Sequence, residues 1–203
     1  GWRTSSALGT SWEESNAGFQ SAEELAEELY TKSVSEGAFS LIVNDNTISY
    51  RARPFEMAMI PYYRALNYVA LGQPQEALVE ARKASLYLRQ YTDLTIESMG
   101  QDPGETDLDW LRNSAFLHYF SGMLYEGDGA INDAFIAYRN AAAAYQASAG
   151  RLAIDAPVSL GADIDRTGRR LGFQEDVEFV RGAYPEIFTG TLTGDWPPGH
   201  GEI

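Results

Sequence analysis

One pattern of small and aromatic residues occurs twice in this chain of 203 residues. It reads small-x-x-Tyr-x-x-x-Gly-x-x-x-x-Ala-x-x-x-(small or Tyr)-x-x-Ala, and the two copies lie 57 positions apart. The members are Ala65, Tyr68, Gly72, Ala77, Ala81 and Ala84 in the first copy, and Gly122, Tyr125, Gly129, Ala134, Tyr138 and Ala141 in the second. This pattern constrains the fold more than any single residue does, because it predicts one structural unit used twice.

Each copy predicts two helices joined by a tight turn. Apolar residues recur at helical spacing over residues 55–71 and 74–91 in the first copy, and over residues 111–125 and 130–149 in the second. A glycine stands at each turn, where the chain is expected to adopt a left-handed conformation. Small residues at fixed helical spacing allow two helices to approach closely, so each pair is expected to pack as an antiparallel hairpin.

The pattern resembles the tetratricopeptide repeat (TPR), a helical hairpin of about 34 residues. The resemblance implies an all-α fold, a short right-handed superhelix with two repeats at about 55–91 and 111–149. Pro61 and His118 occupy the position where the family usually has tryptophan. Since the copies are further apart than one repeat unit, we expect an inserted loop at about 92–110.

Three shorter segments, 62–68, 77–82 and 121–126, resemble an uncharacterised family of TPR-containing bacterial envelope proteins. Members of that family are often lipoproteins with a β-rich segment after the helices. The resemblance implies a location on the periplasmic side of the cell envelope and a lipidated tether outside residues 1–203. A cytoplasmic location stays open as the alternative, and the family supplies no reaction to transfer.

The chain divides into three expected parts. Residues 1–54 are interpreted as an arm and a capping helix, residues 55–184 as the helical domain, and residues 185–203 as an extended Gly- and Pro-rich tail that reads as truncated. Two repeats leave both ends of their apolar stack exposed, so terminal caps are needed. The predicted caps are an N-terminal helix that begins at a Ser21-x-x-Glu24 capping box, and two helices within residues 160–184.

Charge and composition exclude several classes of function. The net charge of −14 disfavours binding to nucleic acid, which requires a cluster of Lys and Arg. No run of apolar residues is long enough to predict a transmembrane helix. The chain contains no cysteine, so it has neither disulfides nor thiolate metal sites, and no cofactor is expected.

The first candidate site is a concave groove, which TPR proteins line mainly with the first helix of each repeat. The positions that match the family's groove are mostly apolar or aromatic in this chain: Met59, Tyr62, Leu66, Val69, Phe116, Tyr119, Met123 and Glu126. Such a surface suits a partner helix or extended segment, to which flexible methionines adapt. The alternative is that the chain's own N-terminal helix or C-terminal tail covers the groove.

The second candidate site is a set of charged and polar residues near the first hairpin. Its members are Glu56, Arg64, Asn67, Glu80 and Arg82. Charges are tolerated inside a protein when they are paired, so a buried structural network is the favoured interpretation. The alternative is carboxylate chemistry on an envelope glycan through Glu56, Glu80 or Glu126, in which case the chain is an enzyme. No known catalytic motif supports that alternative.

The third candidate site is an acidic stretch in the predicted insertion. Four carboxylates, Asp102, Glu105, Asp107 and Asp109, fall within eight positions, and hard cations take oxygen ligands at such spacing. The order of ligands in an EF-hand is absent, so a solvated acidic loop is favoured over a metal site.

Together these features predict a non-catalytic scaffold that holds a protein partner in an apolar and aromatic groove. A self-assembling structural component, in which copies of the chain bind one another, is the first alternative. The glycan-acting enzyme is the second.

Overall fold

The computed structural model describes residues 6–35, 52–98, 100, 102, 109–149 and 154–189, and the described part of the chain is all-helical. This confirms that the fold is all-α, as predicted. The helices are α1 (Ser6–Ser35), α2 (Pro54–Ala70), α3 (Pro74–Ser98), α4 (Asp109–Arg112), α5 (Ala115–Gly127), α6 (Ile131–Ser148), α7 (Leu160–Leu171), α8 (Gln174–Ala183) and α9 (Pro185–Thr189).

The helices α2 and α3 form the first predicted hairpin, and α5 and α6 form the second. Buried contacts show that α2 and α3 run antiparallel, because Ala65 packs with Ala77 and Ala81 while Ala58 packs with Ala84. Alanines at these positions let the two backbones approach closely. The apolar spacing therefore predicted both the helices and the faces that they bury.

Each turn is made by a glycine in the left-handed region. Gly72 has φ 73° and Gly129 has φ 83°, a conformation that glycine adopts without the steric cost paid by other residues. After Gly72, the N–H of Gln73 donates to the carbonyl of Tyr68 at 2.8 Å, which closes a Schellman motif at the end of α2. The predicted role of the repeated glycine is confirmed.

A third hairpin, α7 and α8, turns in the same way at Gly172, with φ 78°. The prediction placed helices in this region but treated them only as caps. The pattern is degenerate in this copy, since Gly168 stands where the first two copies have tyrosine and Val177 stands where they have alanine. A side chain at Gly168 would collide with Val177 and with the ring of Phe135 on α6, so glycine is required for α7 to pack there.

The hairpins pack in chain order. Helix α5 contacts α3, and α7 contacts α6, so each new hairpin begins against the second helix of the preceding one. The largest buried cluster joins α5, α6, α7, α8 and α9 around Phe135 and Tyr138. Within it, Gly122 lies against Tyr138 so closely that an added Cβ would stand 2.5 Å from the ring.

The N-terminal part differs from its prediction. The capping helix is predicted to begin at Ser21 after an arm, yet α1 already begins at Ser6, and Ser21 lies in its interior. The Ser21 hydroxyl donates to the carbonyl of Ala17 at 3.1 Å, so it does not cap a helix. No proline interrupts this segment, and one face of α1 docks on α2, which extends the helix beyond its local signals.

Three other boundaries also differ. Helix α3 continues to Ser98, into the predicted insertion, because Thr92 and Ile96 extend its buried face. The helix predicted over 111–125 is broken before Ala115, where the hydroxyl of Ser114 accepts from the N–H of Leu117 at 3.3 Å and caps α5. The predicted tail starts with the helical turn α9, whose Ile187 is buried, and residues 190–203 lie outside the described part.

Candidate interaction surface

Aromatic rings from α2 and α5 meet on one side of the first two hairpins. The ring of Tyr62 packs edge-on against Phe116 and Phe120, with centroids 5.2 Å and 4.9 Å apart. Such edge-to-face contacts are the favoured geometry between aromatic side chains. The two predicted groove residues Tyr62 and Phe116 are therefore brought into direct contact.

Helix α1 extends this aromatic surface on its other side. Phe19 stacks on Tyr63 with a centroid distance of 5.7 Å and nearly parallel planes, and Tyr63 in turn contacts Tyr62 at 5.2 Å. A continuous series of rings thus crosses from α1 over α2 to α5. The repeat pattern did not predict the contribution of α1, because α1 contains no copy of the pattern.

Several members of this surface are exposed to solvent. Leu66 is 37% exposed, Val69 48%, Phe116 40% and Met123 43%. Leu66 and Val69 follow Tyr62 at helical spacing on α2, and Met123 lies two turns beyond Phe116 on α5. We call this surface the aromatic strip, composed of Phe19, Tyr62, Tyr63, Leu66, Val69, Phe116 and Met123. Met59 lies beneath it, partly buried between α2, α3 and α5.

The prediction that Tyr119 is an accessible groove residue is wrong, because the third hairpin covers it. Tyr119 is only 9% exposed, and its hydroxyl donates to the Asp163 carboxylate at 2.9 Å and lies 2.6 Å from the Ser159 hydroxyl. Burial raises the pKa of Tyr119, so the phenol stays protonated. The pattern could not show this, because it did not identify α7 as the next helix in the stack.

Glu126 is likewise held by the third hairpin rather than presented to a partner. Its carboxylate accepts from Arg166 Nε at 2.8 Å and Nη2 at 2.7 Å, and from the Tyr138 hydroxyl at 2.8 Å. The hydrogen bonds from Arg166 lower the pKa of Glu126 below its ordinary value, because they stabilise the charged form. Glu126 therefore joins α5, α6 and α7.

A buried charge cluster joins α1, α2 and α3 on the other side of α2. Arg64 bridges two carboxylates, with Nη2 at 2.9 Å from Glu80 and Nη1 at 3.2 Å from Glu23, and Lys83 Nζ lies 2.7 Å from Glu23. Two acids and two bases give a balanced formal charge, as a structural network requires. We call these four residues the charge cluster.

Only part of the predicted polar network enters this cluster. Arg64 and Glu80 do, whereas Glu56 accepts from the backbone N–H of Arg53 at 2.7 Å and so caps the start of α2. Arg82 donates to the Tyr125 hydroxyl at 2.7 Å, with its guanidinium over that ring.

Asn67 binds α1 beside the cluster. Its amide donates to Asn16 at 2.9 Å and to Ser15 at 3.0 Å. The sequence pattern did not predict the polar face of α1, although Asn16, Glu23 and Glu27 recur at helical spacing. That spacing was the available signal for the partners of Arg64 and Asn67.

The buried carboxyl of Glu80 has an altered proton affinity. Desolvation raises its pKa above the ordinary value of 4.5, against the opposing attraction of Arg64 and Lys83 and with added repulsion from Glu23. Among the described residues, Glu80 Oε2, Glu23 Oε1 and Arg64 Nε are buried without a hydrogen-bond partner. Nearby, the Tyr87 hydroxyl donates to Glu27, and burial raises the pKa of Tyr87.

The acidic stretch proposed as a weak metal candidate falls mostly outside the described residues. Asp102 is exposed, Glu105 and Asp107 are not described, and only the backbone of Asp109 is. Within the described part, no group of three or more His, Asp or Glu side chains is placed to hold a metal ion. His118 lies partly buried in α5, and burial lowers its pKa.

Comparisons with protein families, with curated proteins and with solved structures find no match to this chain. In the part that the structure describes, no helix combines the length and the apolar character needed to cross a membrane. The functional argument therefore depends on the surfaces of the chain itself.

Proposed function

We propose that this chain is a non-catalytic, TPR-like interaction module that holds a protein partner against its aromatic strip. The observation that carries the proposal is the continuity of apolar side chains across three helices, most of them exposed and two of them, Phe19 and Tyr62, half-buried. Exposed apolar residues scattered singly are normal on a protein surface, whereas a contiguous group more often marks a binding site. The strip meets that description, since its rings contact one another from Phe19 to Phe116.

The stacking of the hairpins supports the TPR-like interpretation. Each unit ends its first helix at a glycine with positive φ, and each unit packs on the second helix of the unit before it. In such an array the first helices line one side, which is where the strip lies on α2 and α5. Tyr119, which the structure buries, and Glu126, which Arg166 and Tyr138 hold, leave the proposed surface. Phe19 and Tyr63 join it.

The partner that fits this strip is an apolar helix or extended segment with basic flanks. Leu66, Val69, Phe116 and Met123 offer apolar contacts, and the chain carries a net charge of −14. Burying apolar surface contributes roughly 25 cal/mol per Å², so a few such side chains contribute several kcal/mol before the costs of association. The opposite charges would speed the encounter and select against acidic partners.

The resemblance to TPR-containing envelope proteins motivates the proposed location. The module would act on the periplasmic side of a bacterial envelope, tethered by a lipidated segment outside residues 1–203. Its partner would then be an envelope protein.

A pull-down from native envelope extract tests the proposal. The Leu66→Asp/Met123→Asp variant places two charges in the strip at sites that already touch solvent. The matched control is Val79→Asp/Leu86→Asp, because these residues of α3 are 58% and 60% exposed and lie outside the strip. Circular dichroism verifies that all three proteins are folded.

A partner held by the wild type and the control but lost from the strip variant supports the proposal. Equal capture by all three proteins, or capture by none, refutes binding through the strip. Light scattering over a range of concentrations separates the self-assembly alternative. A mass that rises with concentration in the wild type, and not in the strip variant, would show that the strip joins copies of this chain.

A further inference from the structure

A cleft lies between α3, α5 and α6, away from the aromatic strip. It is partly open to solvent, with Arg89 and Asn140 at its exposed rim, and has a volume of about 370 Å³. This volume lies within the range of small-molecule sites, which are about 300–1,000 Å³. Its wall combines one apolar side, the alanines at the end of α6, with four polar side chains, Arg89, Asn113, His118 and Asn140.

Hydrogen-bonding capacity around this cleft is largely unused. Arg89 has one polar contact among the described residues, in which Nη2 lies 3.5 Å from Asn113 Oδ1, at the long limit of a hydrogen bond. Its guanidinium has five N–H donors, so most of them are available. The side chains of His118 and Asn140 make no hydrogen bond to any residue that the structure describes.

The charge of Arg89 is not neutralised by any acidic side chain that the structure describes. Several arginines pair with carboxylates, as Arg112 does with Asp93 at 2.5 Å and Arg166 with Glu126 at 2.7 Å, whereas Arg82 donates to the Tyr125 hydroxyl instead. Arg89 has no carboxylate partner in the described part of the chain, although acids outnumber bases by 29 to 15 overall. An arginine without an acidic partner in such a chain is free to bind an anion from solution.

The same lining limits the kind of anion. A planar guanidinium binds carboxylates in a two-pronged geometry, and the amides of Asn113 and Asn140 offer neutral donors beside it. His118 adds no second charge at neutral pH, because burial and the nearby Arg89 both lower its pKa. One positive charge matches one negative charge, and the chain's net charge of −14 opposes a multiply charged ligand. The alanines of α6 suit a short hydrocarbon group.

We propose that this cleft is a binding site for a small monocarboxylate, with its carboxylate on Arg89 and its apolar part against the alanines of α6. The proposal is independent of the aromatic strip, because the two surfaces share no residue. Arg89 and His118 are the two ionisable side chains among those that line the cleft.

Proton NMR of the folded chain tests the site, with propionate as the probe. His118 reports binding directly, and His200, the other histidine of the chain, serves as an internal control. Propionate is expected to shift the His118 ring signal saturably, with a dissociation constant on the order of millimolar, and to raise its pKa. Propionamide, which has the same shape without the charge, is expected to leave the signal unchanged.

The Arg89→Gln variant is expected to bind propionate at least about tenfold more weakly, the typical effect of losing a charged hydrogen bond. Arg170→Gln is the matched control, since Arg170 is exposed on α7 and away from the cleft. Asn140→Ala, at an exposed position, gives a second and milder test.

The proposal is overturned if propionate causes no saturable shift of His118, or if Arg89→Gln binds it as well as the wild type does. Inorganic phosphate binding as tightly as propionate would overturn the assignment to a monocarboxylate. A shift of His200 equal to that of His118 would show a general effect of added salt and overturn the site.

Discussion

Replacing Arg64 by methionine is expected to lower the free energy of unfolding by about 3 kcal/mol. The side chain of Arg64 is 11% exposed, and its two partners, Glu23 and Glu80, are 7% and 8% exposed. Removing one partner of a buried ion pair typically costs about 3–5 kcal/mol, because the remaining charge is left without compensation. We expect the lower end of this range, because Lys83 still pairs with Glu23. Methionine also preserves the apolar packing of the arginine stem.

The loss should depend on pH in a definite direction. The pKa of Glu80 is already raised above 4.5, so the native state binds this proton more tightly than the unfolded chain does. Stability from this group therefore falls as pH rises through the folded pKa, and removing Arg64 raises that pKa further. The free energy of unfolding that Arg64→Met loses relative to the wild type should therefore be smaller near pH 5 than near pH 7, because Glu80 is more readily protonated at the lower pH.

Urea unfolding followed by circular dichroism measures the effect, and the expected loss of about 3 kcal/mol corresponds to a melting temperature lowered by about 6–12 °C. Arg170→Met is the matched control, because Arg170 is exposed and lies outside the charge cluster. Adding Glu80→Gln to Arg64→Met should recover part of the loss, since it removes the buried carboxylate that has lost its ion-pair partner, whereas Glu23 keeps Lys83. If Arg64→Met unfolds like the control, or if Glu80→Gln deepens its loss, the proposed role of the charge cluster is wrong.

Three further predictions concern the second and third hairpins. Gly122→Ala should lower stability by about 1–3 kcal/mol in urea unfolding, because its methyl collides with the ring of Tyr138, whereas Gly127→Ala meets no atom within 4 Å and should not. The pKa of Glu126 is lowered, so its contribution to stability is present above the ordinary pKa of 4.5 and is lost as pH falls through the folded pKa. Glu126→Gln should therefore reduce the dependence of the melting temperature on pH in the acid range, as a series of thermal melts measures. An unchanged dependence would contradict the assignment. Tyr119→Phe should cost about 1–2 kcal/mol in chemical unfolding, because it leaves a buried carboxylate short of a donor, and a neutral effect would show that the hydroxyl is not needed.

Local signals in the sequence predicted the two hairpins well. Helical spacing and turn glycines act between residues that are neighbours in the chain, so Gly72 and Gly129 mark the turns without knowledge of the rest of the fold. The third hairpin kept its glycine at Gly172 but lost the tyrosine and alanine of the pattern, so its membership in the stack was hidden. The helical spacing and the glycine that remained in this segment were sufficient to predict helices there, but not to predict a third copy of the pattern.

The sites were harder to predict because they depend on contacts between distant segments. Arg64 and Glu80 were grouped correctly, since both belong to one hairpin. Glu23 was missed because its role requires α1 to dock on α2 and α3, which no local pattern encodes. Tyr119 was misplaced for the same reason, as its environment is completed by Asp163 from the third hairpin.

The docking of α1 has a consequence for how the chain is made. Its contacts span long stretches of sequence, since Glu27 meets Tyr87 across 60 residues, whereas each hairpin closes within a single turn. Ribosomes add about 5–20 residues per second, so α1 emerges roughly 3–12 s before its last partner is translated. During that interval the residues that later join the charge cluster remain hydrated. A docking face that carries acidic residues is less prone to aggregation during this interval than an apolar one, because it exposes less apolar surface to other nascent chains.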